Sequence, residues 1–489
     1  MNPSVTAHKA IWNFSIVGLN KVAQTIGSIA FVLIVPRMLG ADQFGQFAFI
    51  TSLFIISTKA GDLGLEDVLV RFIPEQVAGD ETESIRYLVG RLLAFRLVIG
   101  AATGVLAGIW ALNVTDWMSP AQAVLVGLTI WLYIIALLPY EVLLGLGRVG
   151  RWSINTSWRQ FALIAAIGLL YGVWKLGFDG VVLALLASQL FFVALGLWWM
   201  RAYLSRRYLR LDWGAVRPYL MAGLVFFAAN VLLALVHRGG ALAIEVLIHD
   251  PAQIGFFELG NSLYLMLFLA ISQAMMALLP LASRLHVTGG EAEVGRWFAL
   301  LQRFGVVLAM VIVGGVWGMA PLLVPPVFGE AYRPVIDTLR IGMPALALMM
   351  LGYPAGMLAV VWRKPHIRLW AGVWALAATA VTMSTIVIWG ANGAALAVVA
   401  GVAAYTAAIW YVIREQVQLA WDKGLLGLGL GVVFLPLFWV GGGASISSAF
   451  MTTALTIGLI LIFLILAFAF KIITVRELQI IIQALRHKN

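Results

Sequence analysis

Between Gln43 and Arg71 an otherwise apolar stretch carries Lys59, Asp62, Glu66 and Asp67. At 100° per residue on a helix, Ser52, Lys59, Asp62 and Glu66 fall on one stripe, with Asp67 to the side. A charge at hydrocarbon depth costs at least ~2.5–3.5 kcal/mol, so such groups face a bundle interior or a water-filled cavity. Two arrangements answer that need. One is a salt-bridged contact between helices, which suits Asp67; the other is a polar pathway, which suits Lys59.

Further cations lie inside apolar segments. Lys21 shares a helical stripe with Gln24 and Ser28. With 1.5 Å of rise per residue, Lys21, Lys59 and Arg96 each lie about 15 Å in from the basic ends of their segments, half of a roughly 30 Å core. Arg91, Arg159 and Arg303 are shallower on the same side, and Arg340 lies toward the other. Pairing with carboxylates suits Arg91 and Arg159. Lys21 has no acid beside it on its own segment and suits a cavity, while Arg303 and Arg340 fit either role. A midplane cluster of cations calls for an anion, because phosphate replaces lost hydration with charge-assisted hydrogen bonds. Lys21, Lys59, Arg96, Gln24 and Arg303 are therefore the candidate ligands of a substrate phosphate. Asp62 and Glu66 are candidates for neutralising that cluster or binding a coupling ion. Glu258 is the lone carboxylate that a proton-coupled cation exporter would use.

Other chemistries find little support. With no cysteine, thiolate nucleophiles, disulfides and thiolate metal sites are excluded. The six histidines show no metal-ligand spacing, and no GxxxxGK[ST] loop occurs. Glycine-rich LGLGRVG (144–150) and GLLGLGLG (424–431) lie at or in apolar segments with no strand before them, so helix packing accounts for them. No catalytic residue, metal or cofactor is expected; coupling would fall to Na+, H+ or the membrane potential.

The elements that must position these residues are membrane spans. Of 489 residues, 62% are hydrophobic and 11% charged, at a mean hydropathy of +0.98, which no soluble domain shows. Apolar segments run over 11–36, 43–70, 86–112, 120–144, 153–174, 180–200, 218–236, 253–283, 297–324, 335–361, 367–389, 392–413, 424–440 and 449–471. The first lacks a signal-peptide cleavage pattern and reads as a retained span. The sequence thus predicts an all-α integral membrane protein of about 14 spans. Of the 32 Lys and Arg, 21 fall in the loops and tails of one side, 4 on the other and 7 within spans. The positive-inside rule then puts both termini in the cytoplasm. A net charge of +10 reflects this placement rather than a nucleic-acid partner.

A shift of 210 residues lays ADQFGQFAFITSLF (41–54) on PAQIGFFELGNSLY (251–264), matching Gln43 with Gln253, Gly45 with Gly255 and Ser52 with Ser262. An offset of six spans preserves orientation, which predicts two six-helix lobes, 1–210 and 211–415. The remainder, 416–489, adds a two-helix hairpin and a tail whose Val475, Leu478, Ile482 and Leu485 share one face, as in a helix lying on a membrane surface.

PRMLGADQFGQFAF (36–49), GDLGLEDVLVRFIPE (61–75), LGLGRVGRWS (144–153) and FGEAYRPVIDTLRIGMPAL (328–346) resemble the polysaccharide flippases of the MOP exporter superfamily. Peptidoglycan-precursor flippases and MATE drug exporters are relatives of that group. The resemblance implies a V-shaped pair of lobes alternating between inward-open and outward-open states, with helices 1, 2, 7 and 8 lining a cavity. It further implies an oligosaccharide on undecaprenyl or dolichyl phosphate or pyrophosphate as substrate, a plasma (inner) membrane location, and polysaccharide polymerase or assembly proteins as candidate partners beside the bilayer. Some relatives carry arginines where this chain has Lys21 and Lys59, which keeps the charge and gives up bidentate geometry. The rival readings are a MATE-like exporter of small organic cations and a membrane glycosyltransferase or ligase. The longest external loop, about 237–252, offers an enzyme few groups beyond Arg238, Glu245, Asp250 and two histidines.

Overall fold

Glycines and a lone acid decide where the first elements begin and end. In the computed structural model, which describes residues 3–78, 82–276, 290–361, 366–413, 421–441, 449–474 and 477, helix α1 (Pro3–Asp62) runs as two limbs. The break is Gly40, at φ 76° and ψ 172°, backbone that side-chain-bearing residues rarely adopt. A second break follows Asp62, where Leu63 and Gly64 take φ of 54° and 76°. The chain then resumes as α2 (Leu65–Ala78). Asp62 Oδ2 accepts the Glu66 N–H at 3.1 Å, satisfying one of the open donors of the new helix.

This corrects the expectation of one span over 43–70. The limb stops at Asp62, so Lys59 lies one turn from a helix end and not in the middle of a helix. The reason is local: a capping acid two residues before a left-handed glycine outweighs continuous hydropathy. The apolar side of α2 is buried instead in a protein core. Leu65, Leu69 and Ile73 pack with Leu88 and Leu92 of α3 (Thr82–Val114) and with Leu138 and Val142 of α4 (Pro120–Gly145).

Each of the fourteen apolar segments contains helix, and among the described residues no strand occurs. Eleven helices there are long and apolar enough to cross a membrane, the first of them holding two of the expected spans. The chain forms two compact units, 1–255 and 256–489. The first holds α1 to α4, α5 (Val149–Ile167), α6 (Gly177–Met200) and α7 (Trp213–Ile248). It ends in the first turn of α8 (Pro251–Met276). Its helices meet where side chains are absent. A Cβ on Gly127 of α4 would lie 2.7 Å from the Gly104 carbonyl oxygen of α3, and one on Gly104 would run into the Gly127 carbonyl.

A similar reciprocity joins the two ends of the internal repeat. A Cβ on Gly45 would run into the carbonyl of Pro251, and one on Gly255 would lie 2.6 Å from the carbonyl oxygen of Ala41. Residues 41 and 251, like 45 and 255, are partners under the 210-residue shift. Helix α7 is tied in at two further levels. Gly223 and Gly64 approach backbone to backbone, and Trp117 Nε1 donates to the buried Glu245 carboxylate at 2.9 Å.

The second unit contains α9 (Gly290–Phe328), α10 (Val335–Gly342), α11 (Pro344–Val361), α12 (His366–Thr382), α13 (Ala391–Ile413), α14 (Trp421–Gly441) and α15 (Ala449–Ala469). Buried polar side chains there are spent on neighbouring helices: Gln302 donates to Leu351 O at 2.6 Å and Thr338 to Asn392 Oδ1 at 2.8 Å. The amphipathic face expected at Val475, Leu478, Ile482 and Leu485 lies outside the described residues.

Candidate anion-binding site and its ion pairs

The first unit holds two kinds of charge. One is sealed. Arg96, at mid-length in α3, has a fully buried side chain whose Nη2 donates to Asp62 Oδ1 at 2.7 Å and to Glu141 Oε1 and Oε2 at 2.9 and 2.8 Å. Asp62 comes from the end of α1 and Glu141 from α4, so one guanidinium closes three helices together. Two carboxylates face one cation, a formal charge of −1. A pair this far from water gains from its full Coulomb attraction only while both partners remain.

The other kind is accessible. Lys59 Nζ lies 2.8 Å from Glu66 Oε2, and their side chains are 39% and 44% exposed. The pair spans the break between α1 and α2, which brings position 66 back to position 59. On the neighbouring helices, Arg159 of α5 sits with its guanidinium 4.2 Å from the ring centroid of Tyr133 of α4 and 5.7 Å from that of Phe54. Phe54 and Tyr133 rings are themselves 4.9 Å apart, and Tyr133 lies within electrostatic range of Lys59. Among the described residues Arg159 makes no ion pair. A ring face attracts a guanidinium by about 0.5–2 kcal/mol and holds it in place while leaving its N–H groups free at the edge. The arrangement supplies a half-exposed ammonium, a guanidinium without an acid and two aromatic faces.

The residues singled out from the sequence fall in several places. Lys59, Asp62 and Glu66, expected on one stripe of a single helix, come together instead around the break after Asp62, where Arg96 joins from α3; Arg96 and Asp62 are sealed, Lys59 and Glu66 open. Lys21 lies in α1 and Asp67 in α2; both side chains lie outside the described residues. Near Lys21, α1 faces α5 through polar contacts. Asn20 Nδ2 donates to Ser153 Oγ at 2.6 Å, and Ser28 Oγ donates to Gln160 Oε1 at 2.7 Å and to the Gln24 carbonyl at 2.9 Å. Arg91 takes the expected acid, Asp212, at 3.7 Å. Arg159 does not: its partner is an aromatic face.

Three further residues belong to the second unit. Arg303 Nη2 lies 2.9 Å from Glu477 Oε1 and Nη1 donates to Ile472 O at 3.4 Å, so it anchors the chain beyond α15. Arg340 donates through Nε and Nη2 to Trp317 O at 3.3 and 3.1 Å. Glu258 is buried in α8 and accepts from Ser262 at 3.0 Å. Sequence reasoning did not select Arg159, Tyr133 and Phe54 as a group. They come from three helices, α1 and the consecutive α4 and α5, and no spacing rule links them.

Comparison with known proteins follows the fold. The polysaccharide biosynthesis protein family matches residues 8–286, more than half of the chain. The lipid II flippase MurJ, in an inward closed conformation, is similar over 91% of this chain and 97% of its own, at 10% identity and a TM-score of 0.71. An inward-facing multidrug resistance MATE family transporter of the MOP superfamily is similar over 82% of this chain and 96% of its own, at 14% identity and a TM-score of 0.69. At such identities these likenesses show the fold. No curated protein matches the chain. A match running from α1 through α8, on helices folded as in these transporters, gives the assignment: the chain belongs to the polysaccharide biosynthesis protein family.

Proposed function

We propose that this protein flips a lipid-linked oligosaccharide, carried on undecaprenyl or dolichyl phosphate or pyrophosphate, from the cytoplasmic to the outer leaflet of the plasma (inner) membrane. Both termini are cytoplasmic in this reading, and the protein is a transporter and not an enzyme. The observation that supports it is the half-exposed Lys59–Glu66 pair together with Arg159, which stands over Tyr133 and among the described residues makes no ion pair. The substrate phosphate bridges Arg159 and Lys59, displacing Glu66. Tyr133 and Phe54 offer ring faces to the first sugar. Arg96 stays with Asp62 and Glu141 and positions the helices. The coupling cation, H+ or Na+, is taken up where acids exceed bases, at Asp62 and Glu141, or at Glu66 once the phosphate has replaced it.

The experiment is a deletion strain of the source organism. Cytoplasmic-face accumulation of a lipid-linked glycan, cleared by the wild-type gene and not by Lys59→Ala or Arg159→Ala at equal membrane abundance, is the expected result. Efflux of organic cations without any such accumulation would overturn the reading and favour a MATE-like exporter.

A further inference from the structure

Six arginines stand outside this site, gathered at one end of the first unit. Arg148 and Arg151 flank the start of α5; Arg201, Arg206, Arg207 and Arg210 lie in the connector between α6 and α7. All are exposed, and among the described residues none forms an ion pair. The loop count assigns this end to the cytoplasm, and that rule asks only for positive charge near span ends, not for order.

The connector is nevertheless ordered. It forms two 3-10 turns, Arg201–Tyr203 and Arg206–Tyr208, laid along α3. Arg86 Nε donates to Ala202 O at 3.0 Å, Tyr208 OH to Glu83 Oε1 at 2.6 Å, and Arg91 Nη1 to Arg210 O at 3.2 Å. Gly90 makes room for this: a Cβ there would lie 2.7 Å from Tyr208 Cβ. The nearby acids are already engaged, Glu83 by Arg86 and Tyr208, and Asp212 by Arg91 and Tyr87. Ring faces steady several of the arginines. Arg148 lies 5.9 Å from Tyr203, Arg151 5.9 Å from Trp199 and Arg201 5.5 Å from Trp198. Between the charges, Leu211 and Trp213 are exposed by 60% and 59%, with Leu209 and Trp198 also in the open.

A partner for this collar must be anionic and apolar together. A nucleic acid or an acidic protein loop would neutralise the arginines and leave the leucines in water. A layer of phosphate headgroups above acyl chains meets both demands. We propose that the 148–151 and 201–213 collar is a binding surface for anionic phospholipids of the leaflet it faces. The surface is held in shape by α3 so that guanidinium forks meet lipid phosphates while Leu211 and Trp213 enter the acyl boundary.

The test uses the full chain in detergent with phosphatidylglycerol or phosphatidylcholine added, lipids retained being counted by native mass spectrometry. Wild type is expected to prefer phosphatidylglycerol. The Arg206→Gln, Arg207→Gln, Arg210→Gln variant is expected to bind it about a hundredfold more weakly, at roughly a factor of five for each charge removed near an anionic surface. Photoactivatable phosphatidylglycerol on wild type gives a readout that needs no variant to fold, with labelling expected within 148–151 and 198–213. Equal retention of both lipids by wild type, unchanged preference in the variant, or labelling elsewhere would overturn the proposal. So would displacement of phosphatidylglycerol from the collar by stoichiometric prenyl phosphate, which would make it a substrate-capture site.

Discussion

The charged residues of the first unit divide by what removal of each would leave behind. Taking Arg96 away strands Asp62 and Glu141 together in a dry site. Arg96→Ala is expected to destabilise the protein by about 3–5 kcal/mol, read as a lowered unfolding temperature in detergent. Arg96→Ala combined with Asp62→Asn and Glu141→Gln should recover most of that loss, since the penalty lies in the uncompensated charges. A triple variant no more stable than Arg96→Ala would refute the sealed-pair description. Lys59 and Arg159 behave differently because the Lys59 side chain is partly exposed and a ring face supports Arg159. Lys59→Ala and Arg159→Ala are expected to leave the unfolding temperature nearly unchanged and to weaken substrate binding about tenfold to a hundredfold, the worth of a charged hydrogen bond. Arg159→Lys should recover only part, because an ammonium keeps the charge without the planar fork.

At the scale of elements, the close approach of Gly45 to Pro251 and of Gly255 to Ala41 brings repeat partners into contact. Neither position has space for a larger side chain without movement of backbone. Gly45→Leu and Gly255→Leu are each expected to force this contact apart, measured as faster modification of a cysteine placed at Ala41 by an externally added thiol reagent. Labelling at the wild-type rate would show that the contact is already open. These glycines illustrate what the sequence discloses and what it hides. The alignment of 41–54 on 251–264 identified both glycines, and the span count identified the helices, because apolar length and repetition are one-dimensional signals. The end of α1 at Asp62 was present in the sequence as an acid two residues before a glycine, masked by the hydropathy around it. The meeting of Arg159 with Tyr133 was not legible, since cation–ring contacts between separate helices leave no periodic mark. Nor could the sequence decide whether Arg96 pairs or waits for a substrate; Glu141, 45 residues away, settles that only once α3 and α4 are packed.

At the scale of the molecule, eleven apolar helices among the described residues and the family assignment make this a multi-pass membrane protein of the polysaccharide biosynthesis group. Carrying a negatively charged headgroup outward from a negative interior gains ~2.3 kcal/mol per charge per 100 mV. In proteoliposomes, an inside-negative potential imposed with valinomycin should therefore speed outward transfer, and the reverse potential should slow it. A rate insensitive to potential would mean that a co-transported cation neutralises the headgroup. Transport in the proposed mechanism depends above all on an anion held by Lys59 and Arg159. The most direct test is transfer of a fluorescent prenyl-pyrophosphate oligosaccharide across vesicles containing the purified protein, followed by exposure of the sugar to an external lectin. Transfer is expected by wild type and by Arg206→Gln, and none above protein-free vesicles by Lys59→Ala with Arg159→Ala; wild-type transfer by that double variant would mean that these two cations do not hold the substrate.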